Sequence, residues 1–203
     1  MAYDIIIKSG TVLDGSGKNS FLADIGIKDD KISAIGDLSN SSAETIISAS
    51  GYYVAPGFID ITNHSDTNLT IFKYPFQESL VAQGVTTIIG GNCGTSLAPL
   101  ADYSIIHSIQ KWADPSDINV DWLSFGEFLA SIEKKGLGIN FGSLVGFGTL
   151  RRGVIADISK PAGIEERQKM RIMLEASLKE GAFGLSSGLV YSHEKYASLE
   201  EII

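Results

Sequence analysis

The chain has 203 residues, 44% hydrophobic and 20% charged, enough to bury a sizeable core as one large domain or as a small one followed by a larger one. Its net charge of -8 argues against nucleic acid as the main partner, because phosphate binding needs a basic face. A single cysteine, Cys93, excludes an intramolecular disulfide and is compatible with a reducing cytosol.

Residues 3–8 predict a first strand, followed by the turn-rich Asp14-Gly15-Ser16-Gly17-Lys18. Residues 23–28 and 31–35 alternate apolar and polar with period two, and Asp29-Asp30 between them fits a two-residue hairpin turn. Residues 44–48 add another short strand. The expectation for 1–55 is a small module of antiparallel strands, marginal by itself at about fifty residues. The stretch from Val54 to Asp66 (Val-Ala-Pro-Gly-Phe-Ile-Asp-Ile-Thr-Asn-His-Ser-Asp) then marks a boundary. Its apolar run reads as a buried strand whose end delivers polar, metal-capable groups.

Beyond Pro56 the pattern changes. Residues 74–83 predict a helix with Phe76, Leu80 and Val81 on one face and Gly84 as its stop. The β-branched run 85–89 predicts a buried strand ending at Gly90-Gly91-Asn92-Cys93-Gly94. Helices are expected over 103–112 and 124–135, and a strand over 140–148. The clearest helix is 165–180, with Met170, Met173, Leu174, Ser177 and Leu178 facing the core. A fourth strand over 182–185 ends at Ser186-Ser187-Gly188-Leu189-Val190-Tyr191, and residues 200–203 begin a helix. Alternation of this kind implies a parallel α/β sheet, open or closed, with function gathered at the C-terminal strand ends. His64, Cys93, the Gly146-Phe147-Gly148-Thr149 turn and Tyr191 fall on that face.

Cys93, between glycines, reads either as a thiolate able to bind a soft metal or act as a nucleophile, or as a buried structural cysteine. His64, among Asp60, Asn63 and Asp66, reads as a metal ligand or base, or as a residue capping backbone groups. His107 carries no role. His193 and Glu194 read as a solvated loop or as substrate-facing, and Arg151 and Arg152 as surface charge by default, with one of them able to pair with a carboxylate. The glycine-rich turns fit neither a P-loop nor a dinucleotide fingerprint; they read as crowding of backbone around a small ligand or metal. The start Met1-Ala2-Tyr3-Asp4 lacks a basic leader and no apolar run nears the roughly 18 residues of a membrane span, so a cytoplasmic protein without membrane contact is expected.

Taken together the motifs resemble a known family. The opening run from Asp4 to Gly17 is similar to the start of amidohydrolase-superfamily enzymes, and Ala55-Pro56-Gly57-Phe58-Ile59-Asp60 to their first barrel strand. Gln83-Gly84-Val85-Thr86-Thr87 with Gly91-Asn92-Cys93-Gly94, then the run Leu144–Arg151, then the run Gly184–Tyr191, resemble the N-acyl-D-amino-acid deacylases, or D-aminoacylases. The resemblance spans essentially the whole chain. It implies a zinc-dependent (β/α)8 TIM barrel, here only its first four β/α units over 56–203, with 1–55 forming the N-terminal part of a composite β-sandwich. It implies hydrolysis of the amide of a small-molecule N-acyl-D-amino acid to a carboxylate and a D-amino acid. Cys93 and His64 would be zinc ligands and Tyr191 a substrate contact; two further histidine ligands and the catalytic aspartate would lie beyond residue 203. On that reading the 203 residues alone are inactive and self-associate.

Two positions depart from the family. The family carries His-Xaa-His after the first strand, whereas this chain has Thr62 in the first place and only His64 in the second. It usually carries histidine where this chain has Phe147. Those departures motivate the competing readings: a non-catalytic remnant or binding module, or an amidohydrolase acting on another amide, cyclic or dipeptidic.

Overall fold

The chain enters the computed structural model as strand β1 (Ala2–Val12), followed by β2 (Phe21–Lys28) and β3 (Lys31–Gly36). Residues 2–109 and 113–203 are described. Asp29 and Asp30 join β2 to β3 with φ of 49° and 63°, the left-handed pair that suits a two-residue hairpin to the strand twist. Asp4 stabilises that turn from β1, accepting from the Asp29 amide at 2.8 Å. Then come β4 (Ser42–Ser48) and β5 (Tyr53–Val54), giving a sheet of order β3-β2-β1-β4, with β5 also beside β1.

Not all of this sheet is antiparallel, as the sequence suggested. β4 and β5 both run parallel to β1, with Ile6 opposite Ile46 and Thr11 opposite Tyr53. β3 and β4 flank the β2-β1 pair on opposite sides, so residues 37–41 cross the sheet instead of turning back as a hairpin. Leu38 in that crossing is buried with Tyr3 and Ile6. Its amide donates to Asp24 Oδ2 at 3.1 Å. These strands form one compact unit, Met1–Gly57; a second spans Phe58–Ile203.

The second unit opens with β6 (Phe58–Asp60), then α1 (Thr70–Lys73), α2 (Glu78–Val81) and β7 (Val85–Gly90). After α3 (Ile105–Ile109) and a 3-10 turn at Pro115–Asp117 come α4 (Phe125–Lys135), β8 (Asn140–Ser143), β9 (Val145–Gly146) and α5 (Phe147–Val154). α6 (Ile164–Lys179), β10 (Leu185–Ser186) and α7 (Leu199–Ile202) complete it. β6, β7 and β8 pair in parallel in that order. β9, one residue beyond β8, pairs in parallel with β10. The mixed α/β unit therefore sets strands side by side in sequence order with helices between them.

Its core gathers around Trp122, whose indole stacks on Phe72 (5.6 Å between centroids, 5° between planes) and donates to the Leu97 carbonyl at 2.9 Å. α4 buries Phe125, Phe128 and Ile132 at helical spacing. Its start is set by Ser124, which accepts from the Glu127 amide at 3.1 Å while Glu127 accepts from the Ser124 amide at 2.9 Å.

Several sequence expectations change here. The helix expected over 74–83 shrinks to α2, because Gln77 takes a left-handed φ of 47° and turns its side chain back onto the Thr70 and Tyr74 carbonyls. Pro75 also disfavours a helical Tyr74. Phe76 and Val81 are consequently exposed. β6 is not buried: it is a sheet edge, with Phe58 69% exposed. The strand expected over 140–148 stops at Gly146, where α5 takes over; the fourth strand is Leu185–Ser186, later than expected. On α6 Met170 and Ser177 are buried and Met173 and Leu174 partly so, but Leu178 faces out. Of the helix expected over 103–112, the last three residues lie outside the described ones. Among the described residues no helix is long and apolar enough to cross a membrane.

Candidate functional site

The C-terminal end of β6 is shaped by a polar turn. Asp60 accepts from the Thr62 amide at 3.1 Å and from Asn63 Nδ2 at 2.8 Å, and Asn63 Oδ1 accepts from the Ser65 amide at 2.8 Å. The adjoining end of β7 is tied to this turn twice. Asn92 Nδ2 donates to the Asn63 carbonyl at 3.2 Å and to the Ile89 carbonyl at 2.7 Å, and the Gly91 amide donates to Asp66 Oδ2 at 2.6 Å. These bonds leave His64 and Cys93 facing each other, with Sγ 3.7 Å from Nε2. Thr67 Oγ1 lies 3.5 Å from His64 Nδ1 on the other side of the ring.

Cys93 holds a left-handed φ of 55°, an uncommon and strained conformation for a residue with a side chain, of the kind that clusters at functional sites. Asp66 is fully buried, and among the described residues its Oδ1 has no hydrogen-bond partner. Desolvation pushes its carboxyl up to about 6, against the pull of the Gly91 and Thr67 amides and of nearby His64. Among the described residues no three His, Cys, Asp or Glu side chains come together as a metal-binding group. Two donors converge, Cys93 and His64. Thr62, exposed, adds no third.

Tyr191 is partly exposed in the loop after β10, and its ring stacks on His193 (5.7 Å between centroids, 4° between planes). His193 and Glu194 are not solvated: both are almost completely buried. The Glu194 carboxylate accepts from the Gly188 amide at 2.6 Å, and Arg152 donates to His193 Nδ1 at 2.8 Å. Arg151 takes the alternative of a carboxylate partner rather than surface exposure. Its guanidinium is fully buried, ion-paired with the equally buried Glu201, and donates to the His193 and Lys160 carbonyls. The glycine-rich strand ends close on protein rather than on open space: a Cβ at Gly94 or Gly148 would collide with Glu194 or His193. Sequence reasoning missed this network because its partners lie 40 to 50 residues apart along the chain. The one local signal was His193-Glu194 placed directly after the candidate Tyr191.

No family model matches the chain. It is 36% identical over 201 residues to a D-aminoacylase of Alcaligenes xylosoxydans xylosoxydans, which covers 99% of this chain and 41% of that protein. A solved D-aminoacylase superposes with a TM-score of 0.84 at 35% identity, over 98% of this chain and 41% of the other. The N-acyl-D-glutamate deacylase of Bordetella bronchiseptica, solved with zinc and a phosphonate inhibitor, superposes with a TM-score of 0.87 at 32% identity, over the whole of this chain and 42% of the other. The chain spans about two fifths of the length of the relatives it matches. Over nearly all of its own length, this chain is similar in sequence and structure to the D-aminoacylases and N-acyl-D-amino-acid deacylases.

Proposed function

We propose that the chain is part of a zinc-dependent hydrolase that releases D-amino acids from N-acyl-D-amino acids, with Cys93 and His64 as two of the zinc ligands. The observation that carries this is the 3.7 Å between Cys93 Sγ and His64 Nε2. A tetrahedral zinc with bonds of about 2.3 Å to sulfur and about 2.0 Å to nitrogen holds two such donors roughly 3.6 Å apart. A thiolate and an imidazole also suit zinc by softness. Zinc, when bound, supplies a Lewis acid for the scissile carbonyl and acidifies water at neutral pH.

Catalytic zinc takes three protein ligands. The remaining ligands and the catalytic aspartate are assigned to the portion of the relatives that this chain does not cover. Residues 56–203 are read as the first four β/α units of a (β/α)8 barrel, supported by the sequential parallel strand order, and 1–55 as the N-terminal part of a composite β-sandwich. The exposed Phe58 and Ile59 on the β6 edge support a continuation that covers them, and self-association of the 203 residues when alone. Tyr191 is assigned to the substrate, donating to its acyl carbonyl or carboxylate. The cytoplasm is the proposed location.

The experiment is metal analysis of the longest protein the gene encodes. About one zinc per chain, lost in Cys93→Ala, is expected. A wild-type protein that binds no zinc would favour the non-catalytic reading that Thr62 and Phe147 motivate.

A further inference from the structure

Glu194 sits where three strand-end loops meet. Its Oε2 accepts the Gly188 amide at 2.6 Å, and a Cβ at Gly94 would collide with its Oε1. The Gly188 backbone in turn lies against Cys93: a Cβ there would be 2.6 Å from the Cys93 carbonyl and 2.5 Å from the Tyr191 ring. Ser186 ties the same two loops together, accepting from the Gly94 amide at 3.0 Å and donating to the Gly91 carbonyl. The loop carrying Tyr191 and the loop carrying Cys93 are thus fastened to each other, with one buried carboxylate at the junction.

Behind that carboxylate stands a second group. Arginine only donates, so Arg152 at 2.8 Å makes His193 Nδ1 an acceptor and leaves the ring proton on Nε2. Nε2 lies 3.4 Å from Glu194 Oε1, and among the described residues neither atom makes a hydrogen bond, so each is the other's nearest complementary group. The same imidazole carries the Tyr191 ring on its face. The Glu194 amide donates to the Tyr191 carbonyl at 2.9 Å, closing the loop on itself.

We propose that Glu194 and His193 are positioning residues that hold the Tyr191 side chain beside Cys93 for substrate binding, with Arg152 fixing the tautomer of His193. This rests on the assignment of Tyr191 to the substrate. Glu194→Gln keeps the volume of the side chain. It sets an amide donor against either the Gly188 N–H or the His193 N–H, so one side of the clamp must open.

The test is steady-state kinetics on an N-acetyl-D-amino acid, using the longest zinc-loaded protein the gene encodes. Glu194→Gln is expected to raise KM about tenfold with kcat within about threefold, at unchanged zinc content. In a Tyr191→Ala background the same change is expected to leave KM within about twofold, because there is no longer a ring to position. An unchanged KM, or an equal effect in both backgrounds, overturns the proposal. Should the wild type hydrolyse no such substrate, the proposed function fails while the clamp is still judged by hydrogen exchange over residues 186–191. Exchange about tenfold faster in Glu194→Gln supports it, and unchanged exchange overturns it. If that variant does not fold, Glu194→Asp, which keeps the charge and withdraws it from Gly188, is read by the same two measurements.

Discussion

Cys93 and His64, 29 residues apart in sequence, face each other at 3.7 Å because the turn after β6 and the loop after β7 share hydrogen bonds that neither could make alone. Asn92 is the hinge of that arrangement, since its one amide group bridges the Asn63 and Ile89 carbonyls.

Asn92→Ala is therefore expected to weaken zinc binding without removing a ligand. Groups that orient metal ligands typically account for about 10- to 100-fold in affinity. Competition with a chromophoric chelator measures this. An unaltered zinc affinity would mean that Asn92 does not set the ligand geometry.

Asp66 makes stability depend on pH in the direction opposite to most carboxylates. Its folded-state pKa of about 6 lies above the unfolded value of 3.8, so between those limits the folded chain keeps a proton that the unfolded chain has released. Stability from this group is present below about pH 4 and is lost as pH rises through about 6, a difference of about 3 kcal/mol. In zinc-free protein, Asp66→Asn should gain on the wild type by up to that amount as pH rises from 4 to 7. Urea midpoints across that range decide it, and a constant difference would contradict the assigned burial effect.

The Arg151–Glu201 pair is fully buried, and each partner has further obligations. Arg151 also donates to the His193 and Lys160 carbonyls, and Glu201 Oε1 also accepts from the Ala162 and Ser198 amides. Removing either partner leaves an uncompensated buried charge. Arg151→Ala and Glu201→Ala are each expected to cost about 3–5 kcal/mol. The double variant should cost less than the sum of the two, as read from denaturant unfolding.

Ser124→Ala removes one half of the capping box at the start of α4. A loss of about 1 kcal/mol is expected, with no change in zinc content.

Features written in local spacing were legible in the sequence. The alternation of β2 and β3 around Asp29-Asp30, the Ser124 start of α4, and the polar cluster following β6 all follow from neighbours a few residues apart. The break at Gln77 was not legible, since its left-handed turn is stabilised by a side chain reaching back seven residues to Thr70. Nor was the crossing that makes β4 parallel to β1, which depends on Leu38 packing across the sheet. The sharpest miss concerns charge. Arg151, His193 and Glu194 sit in a polar, glycine-rich context that reads as surface by default, yet they are buried: Arg151 and His193 find partners more than 40 residues away, while Glu194 accepts from Gly188 within its own loop. Cys93 and His64 were legible as candidates from their strand-end positions, but their mutual approach is a property of the tertiary fold.

The central claim is hydrolysis of N-acyl-D-amino acids at a zinc held in part by Cys93 and His64. It is tested most directly by assaying the longest protein the gene encodes, with and without Cys93→Ala, against matched N-acetyl-D- and N-acetyl-L-amino acids. Release of the D-amino acid by the wild type, little or none of the L, and loss of both activity and zinc in Cys93→Ala is the predicted result. A protein that hydrolyses neither series, or a Cys93→Ala variant that keeps full activity, would contradict it.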